Sequence, residues 1–273
     1  MTFLDGCTAL ITGASCGIGE EMARQLAPRA KTLVLLARRL EKLDALKQEL
    51  AAVNPGLKIF TKQVDLADDN QTGQFLAWLD GSGLEVDLLV NNAGLGDHGL
   101  FEGSERPRIE KILSVNIRAL TRLTHHMLPA LIRRPRAAIL NVSSVAGLLP
   151  IPGLAVYAAS KAYVSSFSEA LRAELLGTEV SVTALCPGPV DTEFRQVARR
   201  KDSAGELPAP KFFTVTREQV VREALDGVAR KRARVIPGVL VAVVMIVASM
   251  IPIFVLRFFL NRPPRRVSTI HNA

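Results

Sequence analysis

A chain of 273 residues, 48% hydrophobic and 22% charged, is long enough for one large core and falls outside the compositions of disordered, fibrous and disulfide-scaffold proteins. Its net charge of +8 is uneven: residues 1–194 carry 19 Lys+Arg against 21 Asp+Glu, and residues 195–273 carry 15 against 5. The basic part flanks Val235–Leu256, 22 residues without a charge, and has no interleaved aromatic platform, which points to a membrane surface and away from nucleic acid.

Runs of β-branched and leucine residues recur at Thr8–Thr12, Thr32–Ala37, Leu57–Gln63, Val86–Asn91, Ala137–Ser143 and Val180–Cys186, with a short one at Arg234–Ile236. They are nearly all apolar rather than alternating, the mark of strands covered on both faces. Helical periodicity fills the gaps at Gly17–Pro28, Leu40–Val53, Asn70–Asp80, Arg108–Ile132, Tyr157–Leu176 and Arg217–Arg230. The alternation predicts an α/β fold, a doubly wound parallel sheet. Residues 1–236 read as its catalytic domain and residues 237–273 as an apolar and basic extension. The long irregular segment 187–213 reads as a substrate lid.

The first strand runs into Thr12-Gly13-Ala14-Ser15-Cys16-Gly17-Ile18-Gly19 and a helix, where a dinucleotide pyrophosphate would meet backbone N–H groups. The spacing is GxxxGxG, and glycine turns also join strands to helices for steric reasons alone. Cys16 in the turn is read as a small filler in preference to a thiol activated by the helix. With Cys7 and Cys186 it makes an odd, scattered set without metal spacing, expected to be reduced thiols of a cytoplasmic protein. The start MTFLDGCTAL has no secretory pattern. After the second strand come Ala37-Arg38-Arg39, with no acid until Glu41, which favours a phosphorylated ribose and NADP(H).

Tyr157 and Lys161 in YAASK share a helix face, where an ammonium is expected to lower the phenol pKa. Ser144 follows the fifth strand and is placed to hold the same carbonyl oxygen. Asn116, polar in an apolar helix, needs a partner: a proton-relay water or a structural hydrogen bond. His98, after NNAG, reads as a loop histidine. His125 and His126 have no ligand set around them, and Trp78 is expected to pack against the sheet.

TGASCGIG at 12–19, Asp65, NNAG at 91–94, Asn116, Ser144, YAASK at 157–161 and PGPVDT at 187–192 together resemble the classical short-chain dehydrogenase/reductase family, in order and spacing from residue 6 to about 236. The resemblance implies a Rossmann-type fold with Asn116, Ser144, Tyr157 and Lys161 as the catalytic four. Tyr157 would be the acid or base, Lys161 would bind ribose and lower the tyrosine pKa, and Ser144 would orient the substrate oxygen. Gly13 and Ser15, Cys16, Gly17, Ile18 and Gly19 would bind the cofactor with Arg38 and Arg39, Asp65 and Leu66 would touch adenine, and Asn92, Ala93 and Gly94 would support the cleft. Pro187, Gly188 and Thr192 would face the nicotinamide, with Val190 in the same loop.

The expected activity is NADP(H)-dependent interconversion of a carbonyl and a secondary alcohol on an apolar, lipid-like substrate such as a ketosteroid or ketoacyl compound, in a homo-oligomer, dimer or tetramer. The alternative is a non-catalytic NADP(H)-binding regulator or membrane scaffold. An epimerase or dehydratase of sugar nucleotides needs a larger substrate domain than this length holds. Between Pro237 and Pro252 lie fourteen residues, about 21 Å of helix against a bilayer core of roughly 30 Å, so residues 235–266 are expected to lie on a membrane surface, bent at Pro252, or in the alternative to close over the substrate cleft of a soluble dimer.

Overall fold

Apolar runs without alternation can form strands only where both sheet faces are covered. The computed structural model describes residues 3–190, 193–198, 200 and 214–260. In it β1 (Thr8–Thr12), β2 (Thr32–Ala37), β3 (Lys58–Gln63), β4 (Leu88–Asn91), β5 (Ala137–Val142), β6 (Val180–Leu185) and β7 (Arg234–Val235) form one parallel sheet in the order β3-β2-β1-β4-β5-β6-β7. All but β3 and β7 are buried at every position. The polar sequence KIFTKQ suits β3 to the edge.

Around the sheet lie α1 (Gly17–Leu26), α2 (Leu40–Val53), α3 (Asp69–Gly81), α4 (Arg106–Leu113), α5 (Leu120–Ile132), α6 (Ala155–Glu174), α7 (Glu193–Ala198), α8 (Arg217–Ala229), α9 (Val239–Ser249) and α10 (Ile253–Leu260). Adjacent residues of one strand serve opposite cores: Leu33 and Leu35 pack with α1, α2 and α8, while Val34 and Leu36 pack with α3. Each such leucine contributes about 1.5–3 kcal/mol by burial. Trp78 of α3 packs against Phe60 and Phe75, as expected.

Two expectations need correction. The helix predicted over Arg108–Ile132 is α4 and α5 joined by a π-helical turn, Ser114–Ala119, because Asn116 directs its amide to the loop after β4 and widens the helix there. The segment 187–213 is not all irregular, since it contains α7; residues 191–192, 199 and 201–213 lie outside the described residues. Pro252 separates α9 from α10 as expected, and among the described residues no helix is long and apolar enough to cross a membrane.

β1 pairs with β2 on one side and β4 on the other. Chain direction across the sheet reverses at that seam, which opens a crevice at the carboxyl ends of the strands.

Candidate active site

Residues 13–16 reverse the chain between β1 and α1 directly against the segment after β4. Gly13 has φ 67°, and a Cβ there would stand 2.9 Å from Cα of Ala93. A Cβ on Gly19 would stand 2.3 Å from Nδ2 of Asn92 and 2.5 Å from O of Gly13, so neither position takes a side chain without displacing backbone or Asn92. Asn92 Nδ2 donates to the carbonyls of Thr12 (2.8 Å) and Gly13 (3.1 Å), and the Thr12 hydroxyl accepts the N–H groups of Asn92 and Ala93, both at 3.0 Å. Cys16, the N-cap of α1, makes no capping hydrogen bond, which leaves the first-turn N–H groups to whatever fills the crevice. This bare helix start over a glycine floor fits a dinucleotide pyrophosphate. Burial pushes the Cys16 thiol pKa up, in keeping with a filler.

Where β2 meets α2, Arg38 is exposed and Arg39 half-buried, both on the wall of the crevice. Arg39 Nη2 donates to Ser15 Oγ at 3.3 Å, and Nη1 donates to Glu193 of α7 at 2.9 Å. Asp65 accepts the Ala67 N–H at 3.0 Å and lies 3.4 Å from the Lys111 ammonium.

At the other end Ser144 follows β5 in extended backbone, its Oγ accepting the Ala146 N–H at 3.1 Å. Tyr157 and Lys161 rise from the first turns of α6. Lys161 Nζ donates to the Val142 carbonyl at 2.7 Å and lies 5.9 Å from the centre of the Tyr157 ring. The expected lowering of the phenol pKa is not found: burial pushes Tyr157 up to about 12, only partly opposed by the Ser144 hydroxyl, and pushes Lys161 down to about 8. Each desolvated group favours its neutral form, and among the described residues no carboxylate is paired with the ammonium to hold its charge.

Asn116 is 1% exposed behind this wall. Its Oδ1 accepts the Leu95 N–H (2.8 Å), and Nδ2 donates to the Leu95 carbonyl and to Ser160 Oγ, both at 2.9 Å. Both amide hydrogens are thus taken, which is the structural one of the two expected roles, and only a lone pair on Oδ1 is left toward a water.

A cavity of about 600 Å³ joins these parts. Its walls include Gly13, Ser15, Cys16, Gly17, Ile18, Arg38, Arg39, Asp65, Leu66, Asn92, Ala93, Gly94, Ser144, Tyr157, Lys161, Pro187, Gly188 and Val190. Gly19 and Asn116 lie behind the wall, and Thr192 is outside the described residues. The same walls carry Leu95, Val145, Ile151, Leu154 and Phe194, which no sequence motif singled out. Phe194 packs on the Tyr157 ring at 5.6 Å, and a Cβ on Gly96 would run into it at 2.7 Å, so α7 closes over this end. His98 is half-buried, its ring near Gly153 and its N–H donating to the Ala198 carbonyl at 2.9 Å.

A family model described as short chain dehydrogenase matches residues 7–203. Sulfoacetaldehyde reductase of Chromohalobacter salexigens is 40% identical over 196 residues, 71% of this chain and 76% of that one. Very-long-chain 3-oxoacyl-CoA reductase of Neurospora crassa is 35% identical over 237 residues, 85% of this chain and 68% of that one. Among solved structures, a short-chain dehydrogenase from Sphingobium yanoikuyae in complex with NADPH superposes with a TM-score of 0.79 at 30% identity, covering 96% of this chain and 98% of its own.

Proposed function

The chain belongs to the short-chain dehydrogenase/reductase family, oxidoreductases acting on CH–OH groups through a nicotinamide cofactor, and from that premise we propose that it reduces a ketone on an apolar, lipid-like substrate with NADPH. The reading rests on one observation above all: Tyr157, Ser144 and Lys161 share a single cleft with the glycine turn and two arginines.

The cofactor supplies hydride when bound. Tyr157, its pKa pushed up to about 12, is neutral at physiological pH and gives its proton to the oxygen of the substrate carbonyl. Ser144 holds that oxygen from the other side. Lys161, anchored on Val142, would present its ammonium to the ribose hydroxyls and stabilise the phenolate left on Tyr157 until solvent returns the proton to that oxygen. Arg38 and Arg39 meet the 2′-phosphate, each charge-assisted contact contributing about 1.5–3 kcal/mol.

The apolar side chains on the cleft wall, with Phe194 packed on the Tyr157 ring, support the substrate class. Kinship spans both kinds of substrate, since one relative is named for sulfoacetaldehyde and another for a very-long-chain 3-oxoacyl-CoA. Leu113, Ile132 and Tyr163, large and exposed on α4, α5 and α6, suit a homo-oligomer.

NADPH and NADH oxidation are to be followed with ketosteroids, 3-ketoacyl thioesters, retinoids and sulfoacetaldehyde. Turnover of the apolar ketones with NADPH is expected, and Tyr157→Phe is expected to lower it by about 10² to 10⁴ while cofactor binding stays intact. Turnover confined to sulfoacetaldehyde overturns the substrate class, and an active Tyr157→Phe variant overturns the mechanism.

A further inference from the structure

Arg39, on the cleft wall at the end assigned above to the 2′-phosphate, and Lys42, in the first turn of α2 just after it, already hold an anion from their own chain. Glu193, in the first turn of α7, accepts from Arg39 Nη1 through Oε2 at 2.9 Å and from Lys42 Nζ through Oε1 at 2.7 Å. The same guanidinium reaches Ser15 of the glycine turn at 3.3 Å. The two cations draw the Glu193 pKa down to about 2, so the carboxylate is charged at any working pH. Two anionic oxygens, each taking a separate cationic donor, reproduce the way a phosphate would be held at this point.

We propose that Glu193 is a cofactor-specificity residue, competing with the cofactor's 2′-phosphate for Arg39 and Lys42. The inference rests on the NADP(H) reading. A cofactor without the phosphate leaves the Glu193 pairs in place, whereas one with it must displace a carboxylate before it gains the same donors. The wild-type preference for the phosphorylated cofactor is therefore smaller than its two cations alone would give. Exposed ion pairs are individually weak, so the competition is modest, about threefold to tenfold in affinity for the pair of contacts.

The test uses fragments without the nicotinamide, so its readout is binding and not turnover. 2′,5′-ADP and 5′-AMP are titrated calorimetrically into the wild-type protein, Glu193→Gln, Arg39→Ala and the double variant, with Glu193→Ala as a second removal of the charge. Both Glu193 variants are expected to bind 2′,5′-ADP about threefold to tenfold more tightly than wild type, with 5′-AMP changed by less than about twofold. The gain is expected to shrink when Arg39 is absent. A wild-type preference for 2′,5′-ADP that the Glu193 variants leave unchanged or weaken sinks the competition and leaves the NADP(H) reading standing. No preference in any of the proteins sinks both.

Discussion

Lys161 is 4% exposed and has the Val142 carbonyl as its fixed partner, so its ammonium is held with little water around it. Burial lowers its pKa from 10.5 to about 8, and Cys186 and Tyr157 are the titratable groups nearest to it. Below pH 8 the lysine is protonated in both folded and unfolded chains, and the folded one bears the full cost of a buried charge. Between pH 8 and 10.5 the folded state has released the proton while the unfolded state still holds it. The unfolded state then binds more protons, and stability rises with pH through that window. Cys7 and Tyr157, both pushed up to about 12, act in the opposite sense at higher pH, so the comparison has to be with a variant lacking only the lysine. Lys161→Met in the cofactor-free protein is expected to be more stable than wild type at pH 7, by at most about 3 kcal/mol, with the gap closing toward pH 10.5. Thermal unfolding at a series of pH values measures it. A gap that stays constant or widens with pH would show that burial does not control this lysine.

The π-helical turn between α4 and α5 brings Asn116 to Leu95 as if it were one more residue of a strand, taking both its N–H and its C=O, and ties the pair to Ser160 on α6. Ser160 in turn donates to the Tyr157 carbonyl at 2.7 Å, so Asn116 positions the helix start that carries Tyr157 and Lys161. Asn116→Ala leaves the Leu95 N–H and C=O without this partner and takes from Ser160 Oγ one of its two hydrogen bonds. A cost of about 2 kcal/mol or more is expected, seen as a drop of several degrees in Tm. Unchanged stability in that variant refutes the role. Such a turn was not legible in the sequence, because SVNIRA carries no breaker and its apolar period runs on. What was legible followed from burial: strands covered on both faces read as unbroken apolar runs, and β1 and β2 begin and end where those runs do. The runs at 57 and 86 overshoot because Leu57 and Val86 are buried in the loops leading into β3 and β4. Motif residues were legible because they crowd at strand ends. Glu193 was not, since its partner Arg39 lies 154 positions away and only the fold brings them together.

Most of the molecule hides its apolar surface, but α9 and α10 do not. Val241 is 1% exposed and anchors α9 in the core beside Val215. Around it Val239, Leu240, Val243, Ile246, Val247, Met250, Ile253, Phe254 and Phe258 are all exposed by half or more. So many large apolar side chains left open on two neighbouring stretches of chain mark an interaction site. At 11 and 8 residues the helices measure about 16 and 12 Å, too short for a span, and lying in a membrane surface suits them. Positive flanks were expected to hold them there. Yet Arg230 is paired with Asp226, Lys231 with Glu179 and Arg234 with Glu169, so the cations before α9 are largely balanced within the chain. Apolar burial rather than charge is therefore expected to carry the association, and it should survive high salt. Truncation at Pro237 would also remove Val241 from the core, so the cleaner comparison is Val247→Lys with Phe254→Lys, both exposed and away from that anchor. Wild type is expected to co-sediment with phosphatidylglycerol-containing vesicles at low and at 1 M salt, and the double variant to lose at least about tenfold in affinity, given roughly 1.5–3 kcal/mol per apolar side chain. If both proteins stay in the supernatant, and the substitutions instead split a dimer into monomers, the face belongs to a second copy of the chain and the membrane reading is wrong.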